Sequence, residues 1–368
     1  MNIFEKRREK LYSEMTRKNV DCMLIGPSAD MTYLMDLSLW PDERLMAAVF
    51  SPGHSPFLIA NRLLQDLLAA SPYQDIVYWG DGEDPYALLS CELKNREMKT
   101  DSLAIDSAMA AEILIPVLAA VPHLKLSVST QVTAPLRMVK DEVEMQRLRI
   151  ACQRASNALR ETMAGGRAWI GHTESELAAA LCGAMLRQGL SYGSASVSVG
   201  KNAADAHHIS GSTVIEDNMC MWIDFGSTYQ NYQTDMTRVF YFGEPDPAYV
   251  ELVNIVNEAR EAGISAAAAG NTLGDVDDAA RAVIESYGYG PFFTHRTGHG
   301  IGIMNHEGPS AAHGEKTKIV PGMVFSCEPG IYLPGKYGVR VEDELLIESD
   351  GHPARLHNST TDMVVFRK

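Results

Sequence analysis

No stretch of the 368-residue sequence approaches the roughly 20 consecutive apolar residues that a membrane-spanning helix needs. Positive charge is scarce: 32 Lys and Arg against 47 Asp and Glu leave a formal charge of −15. Such a chain binds polyanions poorly, which excludes nucleic acid and anionic membranes as expected partners. The six cysteines, Cys22, Cys91, Cys152, Cys182, Cys220 and Cys327, show neither CxxC nor CxxxC spacing. That argues against a zinc knuckle or a disulfide frame, and for reduced thiols in a cytoplasmic protein. The charged segment 1–15 lacks the apolar run of a signal peptide. No GxGxxG or GxxxxGK(S/T) loop follows an apolar run in the first third, so no phosphate-cradling loop is expected there.

What is present is ordinary globular composition, 46% hydrophobic with 29 Gly and 17 Pro, at a length that favours two domains. In the first third, apolar runs at 20–25, 46–50, 56–60, 75–79 and 103–105 read as strands. Amphipathic stretches at 4–18, 62–69 and 108–119 read as helices between them. This alternation predicts an α/β domain over residues 1–128. A polar segment at 127–135, ending in Pro135, reads as a connection to a second domain over 129–368. There, Leu148, Cys152, Ala155, Leu159 and Met163 fall at helical spacing within 140–163. Thr173 and Glu176 form a capping-box signature opening a helix to 186. Two further helices, over 248–269 and 276–287, sit among strands. The fold class expected is α+β.

Five residues combine carboxylates and one imidazole at apolar-flanked positions. Asp224 lies in MWIDFG and Asp235, eleven residues on, in YQTDMTRVF; His299 lies in HRTGHGIG, Glu328 in VFSCEPG and Glu342 in GVRVEDELL. A buried carboxylate is costly unless paired or metal-bound. Four of them on one core would repel one another, and divalent cations relieve that repulsion. The oxygen-rich set suits Mn²⁺ and can also hold Co²⁺, Fe²⁺ or Zn²⁺. Four carboxylates match the charge of about two such ions, and a two-metal site activates a bridging water.

These segments resemble the pita-bread metallopeptidases, in particular the creatinase, prolidase and aminopeptidase P branch. The carrying motifs are Asp224, Asp235, His299 in GHGIGIMNHE (298–307), Glu328 in EPGIY (328–332) and Glu342 in GVRVED (338–343), in family order. The resemblance implies a C-terminal pita-bread catalytic domain behind a smaller creatinase-type N-terminal domain, and a homodimer. It implies that Asp224 holds one metal, His299 and Glu328 the other, and that Asp235 and Glu342 bridge them. Glu328 would also handle the proton of the attacking water. His207 and His306 match pocket-wall positions that contact the scissile peptide, and either could serve an oxyanion. His295 reads as pocket lining or support, His208 as an exposed neighbour and His313 as surface. Arg340, two residues before Glu342, reads as orienting that carboxylate and contacting the site. Tyr229, Tyr232 and Tyr332 read as packing.

The activity implied is metal-dependent hydrolysis of N-terminal Xaa-Pro bonds by a dinuclear metal-bound hydroxide. A small-amide hydrolase, a lyase and a non-catalytic binding protein are the alternatives on this scaffold. Two departures stand out. Asp205 precedes His207 by two residues, and Ser310 follows His306-Glu307-Gly308-Pro309 where several dipeptidases of the branch have arginine. The missing arginine implies weaker binding of dipeptides than of longer peptides.

Overall fold

The computed structural model describes residues 2–191 and 193–368. Two compact units make up the chain, Met1–Arg137 and Met138–Lys368. The first unit carries α1 (Ile3–Arg17), β1 (Cys22–Ile25), α2 (Ala29–Met35), β2 (Ala47–Phe50), β3 (Phe57–Asn61), α3 (Gln65–Ala69), β4 (Ile76–Trp79), α4 (Pro85–Asn95), β5 (Ser102–Ile105), α5 (Ala111–Ala120) and β6 (Lys125–Val128). Its six strands form one mixed sheet in the order β4-β3-β2-β1-β5-β6. The helix α6 (Thr130–Met138) runs across the division.

The five strands read from the sequence are present, but the segment 127–135, read as a polar connection, holds the end of β6 and most of α6. Pro135 sits inside α6 and cannot donate to the carbonyl four residues back. The Lys18 ammonium donates to that carbonyl, Gln131 O, at 2.6 Å. The sequence also gave no sign of α2, whose residues Asp30 to Met35 are all buried, so no polar face marks it.

The second unit opens with α7 (Glu142–Met163) and α8 (Glu174–Arg187), each started by a capping box, Asp141 with Glu144 and Thr173 with Glu176. Then follow β7 (Ser194–Val199), β8 (Met219–Tyr229), β9 (Tyr232–Phe242), α9 (Pro247–Ala266), α10 (Leu273–Ser286), β10 (Gly298–Gly300), β11 (Glu307–Ala311), β12 (Val324–Cys327), β13 (Gly330–Leu333), β14 (Tyr337–Arg340), β15 (Asp343–Ile347), β16 (Pro353–Arg355) and β17 (Val364–Phe366). The sheets are β17-β9-β8-β7, β11-β10-β12-β15-β16 and the hairpin β13-β14.

Strand alternation decides what faces what. On β8 and β9, Met221, Ile223, Phe225, Met236 and Phe240 share a buried cluster with Leu159, Leu177 and Leu181 of α7 and α8. Trp222, Val239 and Tyr241, one residue out of phase, share another with Tyr249 and Val256 of α9. Asp224, Asp235 and Thr237 are in phase with this second set. The carboxylates therefore point away from α7 and α8. Among the described residues no helix is long and apolar enough to cross a membrane.

Candidate active site

Both aspartates ride on the β8–β9 hairpin. Its two-residue turn, Gln230 and Asn231, has φ of 47° and 71°, the geometry that matches the twist of paired strands. In register, Asp224 opposes Thr237 and Asp235 opposes Gly226. The other three expected ligands come from the neighbouring strands: His299 on β10, Glu328 directly after β12, and Glu342 in the two-residue break between β14 and β15. Gly298 lets β10 approach β12, because a Cβ there would lie 1.9 Å from Ser326 O.

These five side chains meet. The potential ligand atoms of Asp224, Asp235 and Glu342 all lie within 4.8 Å of one another, as do those of His299, Glu328 and Glu342. A third set, Asp235, His299 and His306, is equally tight. Glu342 is common to the first two sets and Asp235 to the first and third. His299 Nδ1 donates to Gly300 O at 3.1 Å, which turns Nε2 toward Glu328 Oε1 at 3.3 Å. Ser326 Oγ donates to Glu328 Oε1, and Asn305 Nδ2 to Asp235 Oδ2 at 2.8 Å.

The electrostatics suit a cation. Burial first, then repulsion from neighbouring carboxylates, pushes Asp235 and Glu342 well above the usual carboxylate range. Burial lifts Glu328 to about 7, with Arg340 opposing the rise. Burial lowers His299 to about 4, so its ring is neutral, as a ligand must be. Glu342 Oε1 is buried and accepts no hydrogen bond, an acceptor left open inside the cluster. The residues therefore fit divalent ions: oxygen-rich, mutually repelling, with one free acceptor and one oriented imidazole.

Arg340 reaches Glu342 through Thr237 rather than directly. Its guanidinium bonds Asp224 Oδ2, Tyr332 Oη at 2.8 Å, Ala206 O at 3.1 Å and Thr237 Oγ1 at 3.2 Å. Thr237 Oγ1 is the group that donates to Glu342 Oε2, at 2.9 Å. Tyr332 is likewise more than packing, since its hydroxyl links Arg340 to His295 Nε2 at 3.0 Å. His295 is committed on both nitrogens, Nδ1 lying 2.7 Å from Arg296 O. It lines the cleft and supports Tyr332, with a ring lowered by burial to about 4.

The cleft over the cluster encloses about 920 Å³. His207 and His306 both line it and both are exposed. The His306 ring packs against that of His299 at 3.9 Å between centroids, tilted by 43°. Asp205 caps the turn beneath His207, accepting its backbone N–H at 3.0 Å. His208, read from the sequence as exposed, is partly buried against Glu174, Nε2 to Oε2 at 2.8 Å. His313 is at the surface, paired with Asp278.

Glu174 was missed because its sequence context reads only as a helix start. Its fully buried carboxylate accepts from Val199 N, Gly211 N and Asn202 Nδ2, at 2.9 to 3.0 Å, and so pins the loop that carries His207. Glu174→Ala is expected to lower the urea midpoint, at about 1–3 kcal/mol for each donor left without an acceptor. An unchanged midpoint would show that the loop does not depend on it. Thr237 was recoverable, being two residues from Asp235 on the same strand face. Tyr332 and Asn305 required the tertiary structure.

Comparison with known proteins places this geometry. The family model described as "Metallopeptidase family M24" matches residues 146–349, and that of the "Creatinase/Prolidase N-terminal domain" matches residues 7–139. A probable dipeptidase PepE of Mycobacterium tuberculosis is 34% identical over 352 residues, covering 93% of this chain and 91% of that protein. An Xaa-Pro dipeptidase of Lactobacillus delbrueckii subsp. lactis is 30% identical, covering 95% and 96%. The crystal structure of a dipeptidase from Pyrococcus horikoshii superposes with a TM-score of 0.91 at 30% identity, covering 98% of this chain and 99% of that one. The N-terminal domain and the carboxylate–histidine cleft of the second unit thus have one source: the chain belongs to metallopeptidase family M24, whose members are hydrolases that use divalent metal ions.

Proposed function

We propose that this chain hydrolyses N-terminal Xaa-Pro peptide bonds with two divalent ions, Mn²⁺ by donor chemistry, held in the cleft. The observation that carries the reading is the pair of ligand triads sharing the buried Glu342, whose other members, Asp224, Asp235, His299 and Glu328, line an open cleft. Asp224 would hold one ion, His299 and Glu328 the other, with Asp235 and Glu342 shared between them. Ions bound there would lower the pKa of a water and polarise the scissile carbonyl. Proline as the second residue is supported by the relative named Xaa-Pro dipeptidase. A homodimer and a cytoplasmic setting extend the same reading, on the family resemblance.

The side chains divide the remaining work. Glu328 takes the proton of the attacking water and passes it to the departing proline nitrogen. His207 and His306 face the substrate and donate to the oxygen that becomes negative in the tetrahedral intermediate. Arg340 holds Asp224 in place through a buried guanidinium that Tyr332 and Thr237 fix.

His207→Ala and His306→Ala are each expected to keep metal and to lose roughly 100-fold in kcat, the cost of one oxyanion donor. His306 lies within ligand distance of Asp235 and His299, so metal analysis is the discriminating readout. Metal loss in either variant would assign it to the ligand set. The function itself is tested by product analysis on Xaa-Pro dipeptides, Xaa-Pro-Yaa peptides and peptides lacking proline, with Mn²⁺ or Co²⁺ added. Release of the first residue from proline peptides alone is the expected result. Equal cleavage of all three sets would remove proline from the reading, and cleavage of none would remove the peptide.

A further inference from the structure

We propose that Cys152, Glu344 and His357, joined by the hydroxyl of Thr234, form a third metal site that takes one zinc ion inside the second unit. The site is separate from the cleft and independent of the peptide-hydrolase reading. Cys152 Sγ, a carboxylate oxygen of Glu344 and a ring nitrogen of His357 all lie within 4.8 Å of one another, and all three residues are buried. They come from α7, β15 and the segment after β16, and Thr234 comes from β9. Thr234 precedes Asp235 on that strand, so its side chain leaves by the opposite face, the one turned toward α7.

The spacing is that of a coordination shell. A tetrahedral ion with bonds of about 2.0–2.3 Å holds its ligand atoms roughly 3.3–3.8 Å apart. Thr234 Oγ1 lies 3.1 Å from His357 Nε2 and 3.5 Å from Cys152 Sγ, and His357 Nε2 lies 3.7 Å from Glu344 Oε1. His357 Nδ1 is 3.5 Å from Glu344 N, too long a contact to hold the ring proton on Nε2. Glu344 Oε1 accepts Asp235 N at 2.6 Å, whereas Oε2 is buried without a hydrogen-bond partner. Such an orphaned acceptor needs an explanation, and a cation supplies one. Cys152 shares an apolar cluster with Leu148, Ile301, Val324 and Leu346. A thiolate and a carboxylate cancel the two charges of the ion, so the filled site is neutral, as this apolar setting demands. The Cys152 thiol gives up its proton to solvent when the ion binds. Thiolate with imidazole selects Zn²⁺, whereas the oxygen-rich cleft suits Mn²⁺, so the two places take different metals. Through Glu344 Oε1 and Asp235 N, the zinc would brace the strand that carries a cleft ligand.

The test uses protein made in cells supplied with Co²⁺, so that ions enter while the chain folds. Wild type is expected to hold one cobalt more per chain than Cys152→Ala. It is also expected to show thiolate-to-cobalt charge-transfer absorption in the near ultraviolet, which the variant lacks. No cleft ligand is a thiol, so cobalt in the cleft gives no such band, whatever the protein hydrolyses. A wild type without the band, or a band that survives in Cys152→Ala, would overturn the proposal. Should the variant fail to fold, X-ray absorption of wild type made with Zn²⁺ decides. One sulfur neighbour at about 2.3 Å from zinc is expected. A zinc shell of nitrogen and oxygen alone, or protein that holds no zinc, would overturn the proposal equally.

Discussion

Asp235→Ala is expected to leave fewer than two metal ions in the cleft and to lower kcat/KM by about 10³-fold or more. Asp235 belongs to two of the three ligand sets formed by the cleft residues, so its loss opens both ends of the cluster. A bridging carboxylate supports several kcal/mol of charge stabilisation at the reacting carbonyl, and each 1.36 kcal/mol is a factor of ten. Asn305, whose amide donates to Asp235 Oδ2, would lose its partner but no charge. Elemental analysis of the purified variant alongside peptide hydrolysis is the check. Near-normal hydrolysis with metal confirmed absent would sink the two-metal reading.

Asp343→Ala should have the largest effect on stability, about 3–5 kcal/mol. Asp343 starts β15 immediately after Glu342, and it is buried between two buried arginines. Arg238 Nη2 on β9 reaches Oδ1 at 2.7 Å, and Arg260 Nη1 on α9 reaches Oδ2. Removing the carboxylate leaves the buried Arg238 guanidinium without its paired anion and leaves Arg260 with Glu261 alone, at 2.6 Å. Arg238 also donates to Glu342 O, so the backbone under the shared ligand should loosen as well. Chemical denaturation reads the loss, and a midpoint within 0.5 kcal/mol of wild type would contradict it (about the scatter of a surface substitution). Burial alone would raise this carboxyl, but the two arginines hold it below the usual carboxylate range. A depressed folded-state pKa stabilises above the unfolded value, about 3.9, and that contribution is lost as pH falls through the folded value. The wild type should therefore lose this increment only in strong acid, and the alanine variant should lack it at neutral pH.

How much of this was legible in the sequence differs by kind of residue. Asp224, Asp235, His299, Glu328 and Glu342 stood out because ionisable groups flanked by apolar strand residues need an explanation, and the structure brings all five together. α7 and α8 were legible because their capping boxes and apolar spacing are local signals. α4 carried a comparable signal, Asp84 as N-cap before Pro85, that the apolar pattern alone did not expose. α2 and α6 lacked a usable period: one is buried all round, the other is interrupted by Pro135. The partners of Arg340 were legible only in part. Sequence spacing pointed it at Glu342, which it reaches through Thr237, but gave no hint of Asp224, 116 residues away, which it bonds directly.

The most direct test is a metal titration. Protein stripped by a chelator is titrated with Mn²⁺ while Ala-Pro hydrolysis and bound metal are followed together. The expected result is no hydrolysis without metal and a rate that levels off at two equivalents per chain. Full-rate hydrolysis by protein verified to be free of metal would contradict it.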